Sequence, residues 1–223
     1  RRWVRKAGRA SGDRITVRPS GSCPGFLLAT LVAGEAAGLR IQLLPSLGSS
    51  SWGANRSDLT LLDLLALWHR GGFVKTRAEA CTLGGGEETA RGMPEEGVRI
   101  LRETARRHGV PVLEAANWRT LRDLKAARMG VFSPRLVVQI GGGMTSLGED
   151  PAVLELPPGL LLPQTHAPRG DGLLAWALER RLPVVHLLEV RSLARREGIP
   201  FDAPPEEIPQ FLAPLPALGG LLA

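Results

Sequence analysis

A short apolar strand that runs into a Gly/Ser-rich loop recurs four times in this chain, and no other feature constrains the fold as much. The loops span residues 19–25 (PSGSCPG), 48–55 (GSSSWGAN), 84–88 (GGGEE) and 141–146 (GGGMTS). Helical patterns separate the strands, and such alternation implies parallel strands, right-handed crossovers and helices on both faces. Parallel strands open all four loops on one edge, where open α/β sheets bind ligands. Glycine lets backbone N–H groups approach an anion closely, because it lacks Cβ and accepts positive φ. The expected fold is therefore a Rossmann-like, doubly wound, mostly parallel α/β sheet of about six strands with helices on both faces.

Strands are expected over residues 14–18, 40–45, 77–83, 110–113, 135–140 and 183–188. Helices are expected over 24–38, 59–70, 94–108, 118–129, 172–181 and 191–197, with Ser57 or Asp58 as N-cap of the second. Residues 150–165 read as irregular. Residues 1–12 read as a disordered or truncated lead, 13–200 as one α/β domain and 201–223 as a Pro-rich tail.

Composition narrows the partners. The net charge is +6, almost all of it Arg, with Lys only at Lys6, Lys75 and Lys125. Arg suits carboxylate and phosphate, although the pairs late in helices read more simply as solvated residues complementing the helix dipole. Aromatics are 4% of the chain, which argues against a base-stacking surface and hence against nucleic acid. Cys23 and Cys81 make neither a disulfide framework nor a metal motif, and no metal is expected. No apolar run reaches the ~18 residues of a membrane span, so the chain as given reads as soluble.

The four loops differ in chemistry. In the first, the N–H groups of Ser22, Cys23 and Gly25 sit at a helix start, where an anion is favoured. Ser20, Gly21 and Ser22 line it, but it carries neither a dinucleotide fingerprint, a Walker A sequence nor G-x-S-x-G. Ser22 is a candidate nucleophile if His166 or His186 supplies a base, and otherwise a helix cap. The second loop offers Gly48, Ser49, Ser50, Ser51, Trp52 and Asn55 as a hydrogen-bonding cradle. The third sets Glu87 and Glu88 after Gly84, Gly85 and Gly86; these acids suit Mg²⁺, sugar hydroxyls, an amine or general-base work, or are simply exposed. The fourth sets Thr145 and Ser146 after Gly141, Gly142 and Gly143, a triplet that implies close approach to a ligand or to another loop. Asp171 either reaches this edge or caps the following helix. His186, inside an apolar strand, reads as a satisfied core histidine, and His166 as the histidine freest to act. No cofactor is assigned.

The segments SGS at 20–22 with Pro24, GSSSWGAN at 48–55, GGGEE at 84–88, GGG at 141–143, PVVHLL at 183–188 and GIPFD at 198–202 together resemble the poly-γ-glutamate system protein family. The resemblance runs from residue 12 to about 205, and GSSSWGAN is its most specific part. The family pattern has Phe at Cys23, which argues against Cys23 as a required nucleophile. It has Asp in the third loop, which weakens any tight metal geometry for Glu87 and Glu88. The resemblance implies an accessory protein of poly-γ-glutamate synthesis or export that binds an anionic small molecule or the polymer itself. A hydrolase or amide-bond enzyme acting on that polymer through Ser22 or Glu87/Glu88 is the first alternative. A non-catalytic partner of a membrane polymer synthase complex is the second. It further implies membrane association through a missing N-terminal segment.

Overall fold

The structure is a computed structural model that describes residues 2–48 and 55–198, with residue 55 described in its backbone only. The chain divides into two units, residues 1–188 and 189–223. In the first, α1 (Arg2–Lys6), β1 (Arg14–Pro19), α2 (Pro24–Glu35), β2 (Arg40–Leu43) and β3 (Ser46–Gly48) lead to a small hairpin, β4 (Asn55–Arg56) and β5 (Leu59–Thr60). Then come α3 (Leu61–Arg70), β6 (Thr82–Gly84), α4 (Glu95–Arg107), α5 (Trp118–Phe132), β7 (Leu136–Ile140) and α6 (Met144–Leu147). A 3₁₀ turn (Pro151–Glu155), β8 (Gly159–Leu161), α7 (Leu173–Glu179) and β9 (Val184–Leu187) complete it. The described part of the second unit holds α8 (Val190–Glu197), stopped by Gly198 in the left-handed region.

The main sheet has the order β2-β1-β7-β9-β8, parallel except for β8. Beyond β2 the parallel arrangement continues through the β3–β6 pair and single bridges at Leu43–Ala78 and Cys81–Val112. The chain thus builds outward from β1 on one side, then returns to lay β7 and β9 on the other. The expected doubly wound sheet is present, and its topological switch point lies between β1 and β7, the place where such sheets form a ligand crevice.

Both faces are covered. On one, Gly34 of α2 lets the helix lie against Ile15 and Ile41. On the other, Leu121 and Met129 of α5 and Leu173, Leu174, Ala177 and Leu178 of α7 pack with Val137 and Val184. Strand alternation places Thr16, Arg18, Gln42, Gln139 and His186 on this second face, so residues that would be wet in a half-exposed sheet are buried.

Several boundaries differ from expectation. Strand 40–45 breaks at Leu44-Pro45 and resumes as β3, since Pro cannot donate to a ladder. Strand 110–113 reduces to one bridge. Helix α5 runs through Gly130 to Phe132 and ends on Ser133 at φ 54. Thr60, not Ser57 or Asp58, caps α3, in a reciprocal capping box with Asp63. Residues 150–165 contain the 3₁₀ turn and β8, and the lead carries α1. The Pro-rich tail lies outside the described residues.

Candidate functional site

At the carboxyl ends of β1 and β7 the chain buries three charges together. Arg18 is 2% exposed, Lys125 3% and Glu88 4%. Each arrives for a local reason. Arg18 follows Ile15 and Val17 on β1 and points to the face covered by α5. Lys125 falls on the buried face of α5, where Trp118, Leu121, Lys125 and Met129 recur at helical spacing. Glu88 sits at the second central position of a tight turn closed by the Thr89 N–H donating to Gly86 O at 3.1 Å. Glu87 and Glu88 both have positive φ, 59° and 60°, as does Ala90 at 66°. Such backbone costs a non-glycine residue about 1 kcal/mol each, and it persists where the surroundings over-determine it.

Glu88 supplies that over-determination. Its Oε1 accepts from the Thr145 N–H at 3.0 Å and the Thr145 hydroxyl at 2.6 Å. Its Oε2 accepts from the Thr82 hydroxyl at 3.1 Å and from Lys125 Nζ in a buried ion pair. Each carboxylate oxygen therefore already has two donors, its full complement. Burial would raise this carboxyl, but the Lys125 ammonium, the hydrogen bonds from Lys125 and Thr145, and Arg18 outweigh burial and hold it at about 2. The Lys125 ammonium is lowered from the ordinary lysine range by burial and by Arg18, against the pull of Glu88.

Arg18 is the unbalanced member. Its Nη2 donates to Ser146 Oγ at 2.5 Å, while Nε and Nη1 are buried with no partner among the described residues. Burial pushes the guanidinium down to about 10, so it remains charged at neutral pH. Beside it on the next strand, Gln139 gives its amide N–H to Gly141 O at 2.9 Å and leaves Oε1 unpartnered. One strand further, both ring nitrogens of His186 are buried without partners among the described residues, and burial holds the ring down at about 4. The expected satisfied core histidine is thus unsatisfied. A narrow recess lined by Arg18, Ser20, Ser46, Glu88, Lys125 and Ser146 has room for about one water molecule.

The glycines act by letting loops touch each other. A Cβ on Gly84, whose φ is 87°, would lie 1.6 Å from Gly48 O, and one on Gly143 would lie 2.4 Å from Glu88 Oε1. One on Gly141 would lie 2.8 Å from Ser20 Cβ. Gly85 N–H donates to Gly48 O at 2.6 Å. Loops two and three therefore meet backbone to backbone, and loop four closes on both Ser20 and Glu88.

Of the expected site residues, Ser20, Gly21, Gly48, Gly84, Glu88, Gly141, Gly143 and Thr145 converge here. Ser22 lies beside them, its hydroxyl 2.8 Å from that of Ser20. The Ser22 and Cys23 N–H groups are spent on Ser20, at 3.3 Å each, rather than presented to an anion. Cys23, not Ser22, is the N-cap of α2. Ser22 meets neither proposed base: His166 bonds Leu162 and Thr165 beyond the end of antiparallel β8, at the opposite edge of the sheet. Glu87 and Glu88 do not form a pair, because Glu87 turns outward to Arg91. Gly85, Gly86 and Gly142 shape the turns around the site. Asp171 neither reaches it nor caps α7; its Oδ1 accepts from the Glu149 N–H at 2.8 Å and Asp150 N–H at 3.2 Å, and Gly172 is the cap. Ser49, Ser50, Ser51, Trp52 and the Asn55 side chain lie outside the described residues. Both cysteines are free, and burial pushes the Cys81 thiol up to about 12.

No family model matches the chain, and no curated protein matches it. Among solved structures it is similar to glycinamide ribonucleotide transformylase 1 from Symbiobacterium toebii, at 18% identity and a TM-score of 0.26. That match covers 76% of this chain, which spans about 60% of the length of the other. No described helix is long and apolar enough to cross a membrane.

Proposed function

We propose that the protein binds an anionic group at the switch point between β1 and β7, with Arg18 as the anchoring cation. One observation carries this reading: the site has spare donors and no spare carboxylate lone pair. Glu88 is filled by Lys125, Thr82 and Thr145, while Arg18 keeps Nε and Nη1 unpaired among the described residues. Two buried cations face one buried anion, and a buried charge without a partner costs several kcal/mol. A carboxylate or phosphate that places one oxygen in the water-sized recess beside Arg18, with the rest of the anion outside it, removes that cost. The same saturation counts against Mg²⁺, an amine, or general-base work at Glu88.

The resemblance of the sequence to poly-γ-glutamate system proteins supports a narrower form of the proposal. In it the ligand is a glutamate carboxylate, free or in the polymer, and the protein is an accessory of poly-γ-glutamate synthesis or export. Thermal shift of the purified protein tests this with L-glutamate, γ-linked glutamate oligomers and inorganic phosphate. Saturation at ~100 times Kd stabilises by about 2.7 kcal/mol. Stabilisation by the oligomers supports the reading. Stabilisation by phosphate alone removes the polymer and keeps the anion. In the second reading, a partner of a membrane synthase complex, the protein co-purifies with that complex and no small anion shifts its melting. A hydrolase working through Ser22 is disfavoured by the separation of Ser22 from His166.

A further inference from the structure

At the opposite, amino edge of the sheet lies a groove of about 620 Å³, lined among others by Lys6, Arg9, Arg135, Gln164, Arg181 and Leu182. That volume suits a drug-sized ligand. Among the described residues its charged lining is entirely cationic: four basic side chains and no carboxylate. Arg9 is held in place, with Nε donating to Ala7 O at 2.7 Å and Nη1 to Arg135 O at 3.3 Å. The nearest compensation is Asp13, whose Oδ1 is 3.4 Å from Arg135 Nε but which does not line the groove. Lys6 and Arg181 have no ion-pair partner among the described residues.

Arg181 gives an independent pointer. It closes α7 at φ 56°, with its N–H donating to Leu178 O and the Leu182 N–H to Ala177 O, both at 2.9 Å. This is the double hydrogen bond of a helix stop whose left-handed residue is usually glycine. An arginine there accepts backbone strain that glycine would avoid, and it sets a guanidinium on the groove. Strained positions of this kind cluster at ligand sites and switch regions.

We propose that this groove is a second binding site, for small molecules bearing several phosphate-type negative charges. Arginine forks match phosphate oxygens in pairs. Leu162, Leu182 and Pro183 offer an apolar wall to the rest of the ligand. The described lining holds no aromatic ring, so a nucleobase gains no stacking from those residues.

Calorimetric titration at low salt with tripolyphosphate tests the assignment, with ATP and citrate in separate arms. Tripolyphosphate is expected to bind the wild type, and Arg181→Gly to bind about tenfold more weakly or worse. Because glycine relieves the strain, Arg181→Gly is also expected to melt at the same or a higher temperature, which a merely structural role for Arg181 would not pair with lost binding. Arg181→Asn, which also tolerates this backbone, is expected to show the same loss. ATP binding no tighter than tripolyphosphate agrees with the missing stacking ring, and markedly tighter ATP binding overturns that part. The comparison is made in the Arg18→Met background, which silences the carboxyl-edge anion site, so neither binding there nor its failure mimics a result here. Undetectable binding of tripolyphosphate, unchanged affinity in Arg181→Gly, or citrate binding as tightly as tripolyphosphate would overturn the proposal.

Discussion

Arg18, Lys125 and Glu88 show how three charges can be buried together while only two are satisfied. Lys125→Met leaves Glu88 without its ion-pair partner in a buried site, and breaking such a pair costs about 3–5 kcal/mol. Chemical denaturation is expected to show that loss, and a double variant with Glu88→Gln to recover part of it. Arg18→Met removes an unpaired buried charge, so in the absence of ligand it is expected to be neutral or stabilising by about 1–2 kcal/mol. Glu88 is legible in the sequence as an acid behind three glycines; the burial of Arg18 and Lys125 is not. The alternation Ile15, Thr16, Val17, Arg18 looks like a strand with one wet face, and only the helices laid on that face reveal the burial. Lys125 did leave a trace: it is one of three lysines in an arginine-rich chain and sits at core spacing on its helix.

At the scale of elements, the loops were more legible than the contacts among them. Glycine triplets at strand ends announce a close approach, but the partner emerges only from the sheet order. It proves to be Gly48 for Gly84, Ser20 for Gly141 and Glu88 for Gly143. Gly84→Ala forces a Cβ into Gly48 O at positive φ, so it is expected to yield little folded protein, whereas Gly97→Ala on α4, with open space around it, is expected to fold normally. Expression yield and circular dichroism compare the two. The end of helix α3 is legible in the sequence and its cap is not, because several residues near 57–60 can cap. The structure selects Thr60 through its reciprocal bond with Asp63, which also meets His108 of the chain following α4 at 2.8 Å.

For the molecule as a whole, the alternation of strands and helices dictates the doubly wound sheet, while the antiparallel β8 lies in a Pro-rich stretch without clear period. The same sheet sets the response to pH. His186 is held at about 4 by burial against an ordinary 6.5, so between these values the unfolded chain binds more protons than the folded one. Stability is therefore lost as pH falls from 6.5 towards 4, by at most about 3 kcal/mol. Glu88, held at about 2, adds a further loss as pH falls below the ordinary carboxylate range. His186→Leu is expected to abolish the first loss and keep the second, read by urea denaturation across pH. The central claim is that the carboxyl edge takes an anion on Arg18. The direct measurement is the dissociation constant of L-glutamate, its γ-linked oligomers and phosphate, for the Arg181→Gly protein with and without Arg18→Met. The account predicts saturable binding of at least one of these anions that weakens about tenfold or more when Arg18 is replaced. Equal binding with and without Arg18, or no binding at all, would contradict it.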